Sequence, residues 1–380
     1  MDCFRLSITT KLYFGTDITA EALQSEKAVI KGNILVVTTG RSLRRLGYID
    51  DLKRKLEELS TVEKVLVYEK ISQNPEIEEV EGAVKLGKEN RVNVVVGLGG
   101  GSAIDAAKAT AVGIASKDPI EKILLEGLSP SEDTLPIVAI PTTAGTGSEL
   151  SKAAILSSLR HGFKGGIRGN AVLPAIAVVD PKYTYSVPIK VTMETGFDAL
   201  AHAIESYLAV KANLFSEMLS EKAICLIGEN IRKLHQCLQD DDARKQMSYA
   251  SMIMGINLAN VGTCLPHRLQ YVIGARTHTT HGAGLLALYP SWLGLEYSVN
   301  AEKINKVLEW LGLGTAHTGE EAYGKFQSFL QDLDIAYTLS DLGIRAEMVK
   351  DMAEHVTGNI ANDKLSENKD SICQIYRNAL

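Results

Sequence analysis

Between residues 33 and 180, short runs of β-branched and aliphatic residues alternate with stretches whose apolar positions recur every three to four. The segments 33–38, 65–68, 92–96, 136–140 and 175–180 are almost continuously apolar and too short for helices, so they read as buried strands. Between them, 42–59, 77–90 and 103–116 carry helical spacing. Strands apolar on both faces and separated by helices predict a mostly parallel sheet covered on both sides. After Pro188 the texture changes: 191–210, 215–239, 243–261, 282–297 and the remainder to Leu380 keep the helical period, with no comparable β run. The pattern predicts an α/β domain over 1–185 and an all-α domain over 186–380. Neither a low-complexity linker nor a solenoid repeat interrupts it.

Composition narrows the partners. In 380 residues, 40 Lys and Arg stand against 46 Asp and Glu, a formal charge of −6, which argues against a phosphate backbone as the main partner. No apolar run approaches the roughly 18 residues of a membrane span, and the opening MDCFRLSITTKLYFG lacks a signal-peptide core. Cys3, Cys225, Cys237, Cys264 and Cys373 are odd in number and never in a C-x-x-C pair. They read as reduced, mostly buried thiols of a cytoplasmic protein.

Gly97-Leu98-Gly99-Gly100-Gly101-Ser102 follows a strand and opens a helix. Backbone without Cβ approaches an anion closely, and free N–H groups at a helix start favour negative charge, so phosphate or pyrophosphate binding is expected. The spacing is neither G-x-G-x-x-G nor a P-loop. A second loop, Pro141-Thr142-Thr143-Ala144-Gly145-Thr146-Gly147-Ser148-Glu149, also follows a strand and brings hydroxyls to the same task. After the strand at 33–38 no acid follows for an adenosine ribose; Gly40, Arg41 and Ser42 stand there instead, which favours a 2′-phosphate and hence NADP(H) over NAD(H).

Asp198 and His202 lie at i and i+4 on one face of a predicted helix, a spacing shared by metal-ligand pairs, ion pairs and caps. His267 and His281, fourteen positions apart, supply two further imidazoles. One carboxylate with three imidazoles suits Fe²⁺ or Zn²⁺. His278 lies one turn before His281 and is a candidate proton relay. Arg268, Arg276 and Lys152 offer an optional anion-binding set for a charged aldehyde.

Taken together, these segments resemble the iron-containing (group III) alcohol dehydrogenase family. Lys11-Leu12-Tyr13-Phe14-Gly15 is similar to its early strand and Asn74-Pro75 to its Asn-Pro turn. Gly97 to Lys108 is similar to G-G-G-S-x-x-D-x-A-K, Pro141 to Glu149 to P-T-T-x-G-T-G-S-E, and Gly196 to Glu205 to G-x-D-A-x-x-H-A-x-E. The resemblance implies a dehydroquinate synthase-like architecture, with a nucleotide-binding domain over 1–185 and a metal- and substrate-binding domain over 186–380, and Asp198, His202, His267 and His281 as metal ligands. It places the cofactor on Asn74, Gly99, Gly100, Gly101, Ser102, Asp105, Thr142, Thr143, Thr146 and Lys164, the last in an irregular loop. It further implies a homodimer or a multiple of one. Many members carry a histidine where this chain has Tyr271, so Tyr271 joins His278 as a catalytic candidate. The expected reaction is hydride transfer between NAD(P)(H) and a small alcohol or aldehyde. Rival readings are a glycerol dehydrogenase, a dehydroquinate synthase-like lyase, and a nucleotide-sensing module with a structural metal.

Overall fold

A computed structural model describes residues 4–277 and 279–380, and the chain divides into two compact units, residues 7–187 and residues 188–380 with 4–6. In the first unit the strands are β1 (Lys11–Phe14), β2 (Gly32–Thr38), β3 (Val62–Tyr68), β4 (Val94–Gly99), β5 (Ile137–Pro141), β6 (Ala153–Ser158), β7 (Phe163–Arg168) and β8 (Ile176–Val179). The helices are α1 (Thr19–Ser25), α2 (Arg41–Arg45), α3 (Tyr48–Glu57), α4 (Ile77–Glu89), α5 (Gly101–Ala115) and α6 (Ile120–Leu125).

Six of these strands form one parallel sheet in the order β1-β8-β5-β4-β2-β3. Alternation along each strand divides the core in two. Leu35, Val37, Val95 and Ile137 face a cluster closed by α4, α5 and α6, while Ile34, Val36, Val94, Val96, Val138 and Ile140 face one closed by α1 and α3. The chain begins at the edge strand β1, crosses to β2 and moves outward to β3, then crosses back to β4 and proceeds through β5 to β8, which pairs with β1. The reversal falls between β2 and β4, where open α/β sheets bind ligands at the carboxyl ends of their strands.

Two local expectations fail. The single helix expected over 42–59 is two, α2 and α3, because Gly47 has φ +75°, a conformation that ends a helix. Lys164 is not in an irregular loop: β6 and β7 form an antiparallel pair with Lys164 opposite Ser157. Glycine and serine dilute the apolar alternation of this ribbon, which hid it from the pattern.

The second unit is helical: α7 (Ile189–Leu208), α8 (Leu214–Gln236), α9 (Asp241–Asn260), α10 (Leu265–Arg276), α11 (His281–Trp310), α12 (Gly319–Asp332), α13 (Val349–Glu354) and α14 (Lys369–Asn378). The expected helix at 282–297 is longer, and α11 runs on through a kink at Asn300. Helix α7 is buried on nearly all sides from Thr192 to Leu208 and packs against α8, α9 and α11. Of the described cysteines Cys264 alone is buried; Cys225 and Cys373 are half-buried and Cys237 is exposed, so the expectation of mostly buried thiols is corrected, while these four are free. Among the described residues no helix is long and apolar enough to cross a membrane.

Candidate metal centre and nucleotide loops

Helix α7 places Asp198 and His202 one turn apart on one face. Pro266, in the first turn of α10, needs no helical hydrogen bond there and starts the helix directly before His267. His281 opens α11 behind Thr280, whose hydroxyl accepts from the Ala283 N–H. These three helices bring the four predicted ligands together. Asp198 Oδ1 lies 3.4 Å from His267 Nε2, 3.4 Å from His281 Nε2 and 3.8 Å from His202 Nε2. The donor atoms of Asp198, His267 and His281 all lie within 4.8 Å of one another. The His202 and His267 rings stack at 4.4 Å.

Proton positions decide what this cluster can hold. His267 Nδ1 is 2.7 Å from Glu205 Oε1, and His281 Nδ1 is paired with Gln270 Oε1. Both partners are acceptor oxygens, so each Nδ1–H donates and Nε2 is left as the nitrogen that faces Asp198 and can ligate once its own proton is displaced. Asp198 Oδ1 and His267 Nε2 are buried without a hydrogen-bond partner. Acceptors gathered around an acceptor are satisfied by a cation. Donors about 2.1 Å from a common ion in tetrahedral array lie about 3.4 Å apart, so the residues present fit a divalent ion. Burial opposes the charge on Asp198, but the surrounding imidazoles hold its pKa well below the usual carboxylate range. Burial likewise opposes charge on His267, and Glu205 with Asp198 outweighs it, pushing the pKa up to about 9. Without an ion, the same negative surroundings favour a proton on the His267 ring, a positive charge that a divalent ion would displace.

The side chains of Asp198, His202 and His267 are at most 6% exposed, whereas that of His281 is 28% exposed, so the cluster opens on the His281 side. Tyr271 lies there, its ring 6.2 Å from that of His281, and the Arg268 guanidinium is 5.6 Å from the Tyr271 ring. Arg276 is paired with Asp351, which meets its charge. His278 lies outside the described residues. Glu205 and Gln270, three residues after His202 and His267, are the site residues that motif reading left without a role; the i, i+3 spacing from a ligand was their signal.

In the first unit the loops after β2, β4 and β5 lie at the carboxyl end of the sheet. Thr142 N–H bonds Gly99 O at 2.9 Å, and a Cβ on Gly101 would stand 2.6 Å from Thr146 Cγ2, so glycine is required for the two loops to nest. Thr143 lies against Gly100. Ser102 Oγ donates to Gln73 O, and Lys164 Nζ donates to Asn74 Oδ1 at 2.9 Å, so the 73–74 turn and β7 join the same neighbourhood. Burial pulls the Lys164 pKa down to about 8. Gly40 precedes α2, and Arg41 and Ser42 are exposed at its start. Asp105 is engaged inside the protein: it accepts from Ser148 Oγ and from Ile155 N–H at 2.9 Å. Lys108, wholly buried, donates to Ser151 O, Ser151 Oγ and Ala153 O at 2.8–3.0 Å, tying α5 to the segment that follows the second loop.

Comparison with known proteins agrees with this arrangement. Residues 9–181 match the model of the iron-containing alcohol dehydrogenases and residues 192–380 that of the C-terminal part of the Fe-containing alcohol dehydrogenase family. A sulfoacetaldehyde reductase of Bilophila wadsworthia is 29% identical over 89% of this chain and 88% of its own length. Long-chain-alcohol dehydrogenase 1 of Geobacillus thermodenitrificans is 32% identical over 82% and 79%. The solved iron-containing alcohol dehydrogenase of Thermotoga maritima superposes with a TM-score of 0.86 at 29% identity, covering 100% of this chain and 99% of that one. With both halves matched in order, the chain belongs to the iron-containing alcohol dehydrogenase family.

Proposed function

We propose that the chain interconverts a small alcohol and its aldehyde or ketone with a divalent metal, Fe²⁺ or alternatively Zn²⁺, and a nicotinamide dinucleotide, NADP(H) in preference to NAD(H). The observation that carries the metal is the buried, unpartnered pair Asp198 Oδ1 and His267 Nε2, set among imidazole nitrogens at 3.4–3.8 Å. Asp198, His202, His267 and His281 would hold the ion. Bound there, it supplies Lewis acidity towards a substrate oxygen, while the dinucleotide carries the hydride.

The remaining work falls to the chain's own groups. Gly99, Gly100, Gly101 and Ser102 offer backbone N–H groups to the pyrophosphate at the start of α5. Thr142, Thr143 and Thr146 line its other side, with Asn74 and Lys164 completing the contact. Asp105 acts from behind, holding Ser148 and the Ile155 N–H. Gly40 leaves room for a 2′-phosphate, and Arg41 and Ser42 receive it. Tyr271, on the open side, carries a proton to or from the substrate together with His278. A cytoplasmic homodimer, or a multiple of one, belongs to the same proposal.

Small alcohols and aldehydes assayed with NADPH and NADH, on protein loaded anaerobically with Fe²⁺ or Zn²⁺, test the proposal. Metal-dependent turnover with higher kcat/KM for NADPH is expected. Equal turnover by the metal-free protein overturns the metal, and a large advantage for NADH overturns the cofactor preference.

A second reading concerns the substrate. Arg268 Nε is buried without a hydrogen-bond partner beside Tyr271, while its Nη2 donates to Thr263 at 3.0 Å, and the Bilophila relative is named for an anionic aldehyde. A guanidinium so placed suits a sulfonate or carboxylate on the aldehyde. If Arg268→Ala leaves the selectivity for anionic over neutral aldehydes unchanged, this reading is wrong.

A further inference from the structure

Besides two of the four donors, helix α7 carries two buried carboxylates on the same side. Glu194, Asp198, His202 and Glu205 follow at spacings of four, four and three, so they stack along one side of the helix over about three turns. The two outer members are carboxylates taken out of water, Glu205 at 0% and Glu194 at 6% exposure. Burying a carboxylate is costly unless something specific is gained from its charge or its oxygens.

Glu205 uses both oxygens on the segment that bears the third ligand. Its Oε1 accepts from His267 Nδ1 at 2.7 Å, and its Oε2 accepts from the backbone N–H of Cys264, just before α10, at 2.7 Å. One carboxylate thereby turns the imidazole and pins the start of the helix that carries it. Glu194 does the corresponding work at the other end. Its Oε2 accepts from Thr280 Oγ1 at 2.7 Å, and Thr280 in turn caps α11, whose first residue is His281. Charge points the same way: a dication beside the carboxylates of Asp198 and Glu205 is neutralised, whereas a neutral amide in place of Glu205 would leave a net positive charge buried.

We propose that Glu205 and Glu194 are positioning residues for the metal, each reaching from α7 to a segment that bears one of the other two ligands and aligning it before the ion arrives. The inference rests on the metal reading given above. Carboxylates behind ligating histidines orient the ring and raise its basicity, and losing one weakens metal binding by about 10- to 100-fold.

The test uses the full chain as wild type, Glu205→Leu, Glu205→Gln and Glu194→Gln. Co²⁺ dissociation constants come from chelator competition, and the visible spectrum of the Co²⁺-loaded protein and the melting temperature of the metal-free protein are recorded beside them. Wild type is expected to bind one Co²⁺. Glu205→Leu is expected to weaken it by about 10- to 100-fold with an altered visible band. Glu205→Gln, which keeps an oxygen for the His267 Nδ1–H, recovers part of that loss, and Glu194→Gln weakens binding by a few-fold. If wild type binds Co²⁺ while all variants bind it within twofold and with the same spectrum, the positioning role is overturned and the metal reading stands. Losses that follow the metal-free melting temperature with no change of spectrum also overturn it, by making the carboxylates merely structural. Failure of wild type to bind any Co²⁺ overturns both.

Discussion

In residues 188–380 the proposed metal site is built from a few long side chains that three helices bring to one point, while in residues 7–187 the proposed cofactor site is built from backbone N–H groups and short hydroxyls on loops beside a sheet. The metal cluster depends on atoms being present: every donor of Asp198, His202, His267 and His281 is a side-chain tip. The glycine turn depends on atoms being missing, since a Cβ on Gly101 would meet Thr146 at 2.6 Å. One region should therefore be broken by taking atoms away and the other by adding them. Buried carboxylates also part company. Asp198 is kept ionised by imidazoles, whereas burial pushes Glu149 up to about 7, outweighing a backbone N–H and Lys108.

The sharpest test of that contrast is Asp198→Ala. It is expected to abolish stoichiometric metal binding and to lower kcat/KM by about a thousandfold, because the metal's electrostatic contribution is several kcal/mol. Metal analysis and steady-state kinetics check it, and cofactor binding to the first unit should be unaffected. Retained metal in this variant would erase the distinction.

Glu149 gives the next effect. Its folded pKa, raised by burial to about 7 against an ordinary 4.5, means that the folded form binds the extra proton, so stability is fully present below about pH 4.5 and is lost as pH rises through 7. Lys108, pulled down by burial to about 8, changes charge only above that window, so it does not cancel the trend. Denaturant unfolding at pH 5 and pH 7.5 should show Glu149→Gln removing a loss of up to about 3 kcal/mol. An unchanged slope would mean that Glu149 is ionised in the folded protein.

A smaller effect is expected from adding one methyl group. Gly101→Ala should raise the dissociation constant of the dinucleotide by about tenfold, roughly 1.4 kcal/mol, with metal content unchanged. Fluorescence titration with NADPH measures it. The smallest is Arg41→Ala, for which an exposed charge-assisted contact predicts a loss of preference for NADPH over NADH of roughly three- to tenfold. Initial-rate kinetics with both cofactors decide it.

Much of this is legible in the sequence alone, for physical reasons. A strand buried on both faces must be apolar throughout, so β2, β4 and β5 stand out from their residues alone. Where burial is one-sided or the residues are small, as in β6 and β7, the pattern is diluted and the pair was missed. The break at Gly47 was missed because a single glycine inside a helical period does not announce its φ. The donor set could be suspected from Asp198 and His202, but no spacing rule connects them to His267 or His281 across the turns of the chain.

By itself, the sequence determined the order of strands and helices, the nesting glycines and the kinds of ligand on offer, because these depend on neighbours within a few residues. Tertiary structure alone decided that α7, α10 and α11 converge, that Glu205 and Gln270 fix which imidazole nitrogen faces Asp198, and that Asp105 turns inward to Ser148. Those outcomes depend on packing between segments far apart in the chain, where burial and hydrogen-bond satisfaction are settled jointly and not residue by residue.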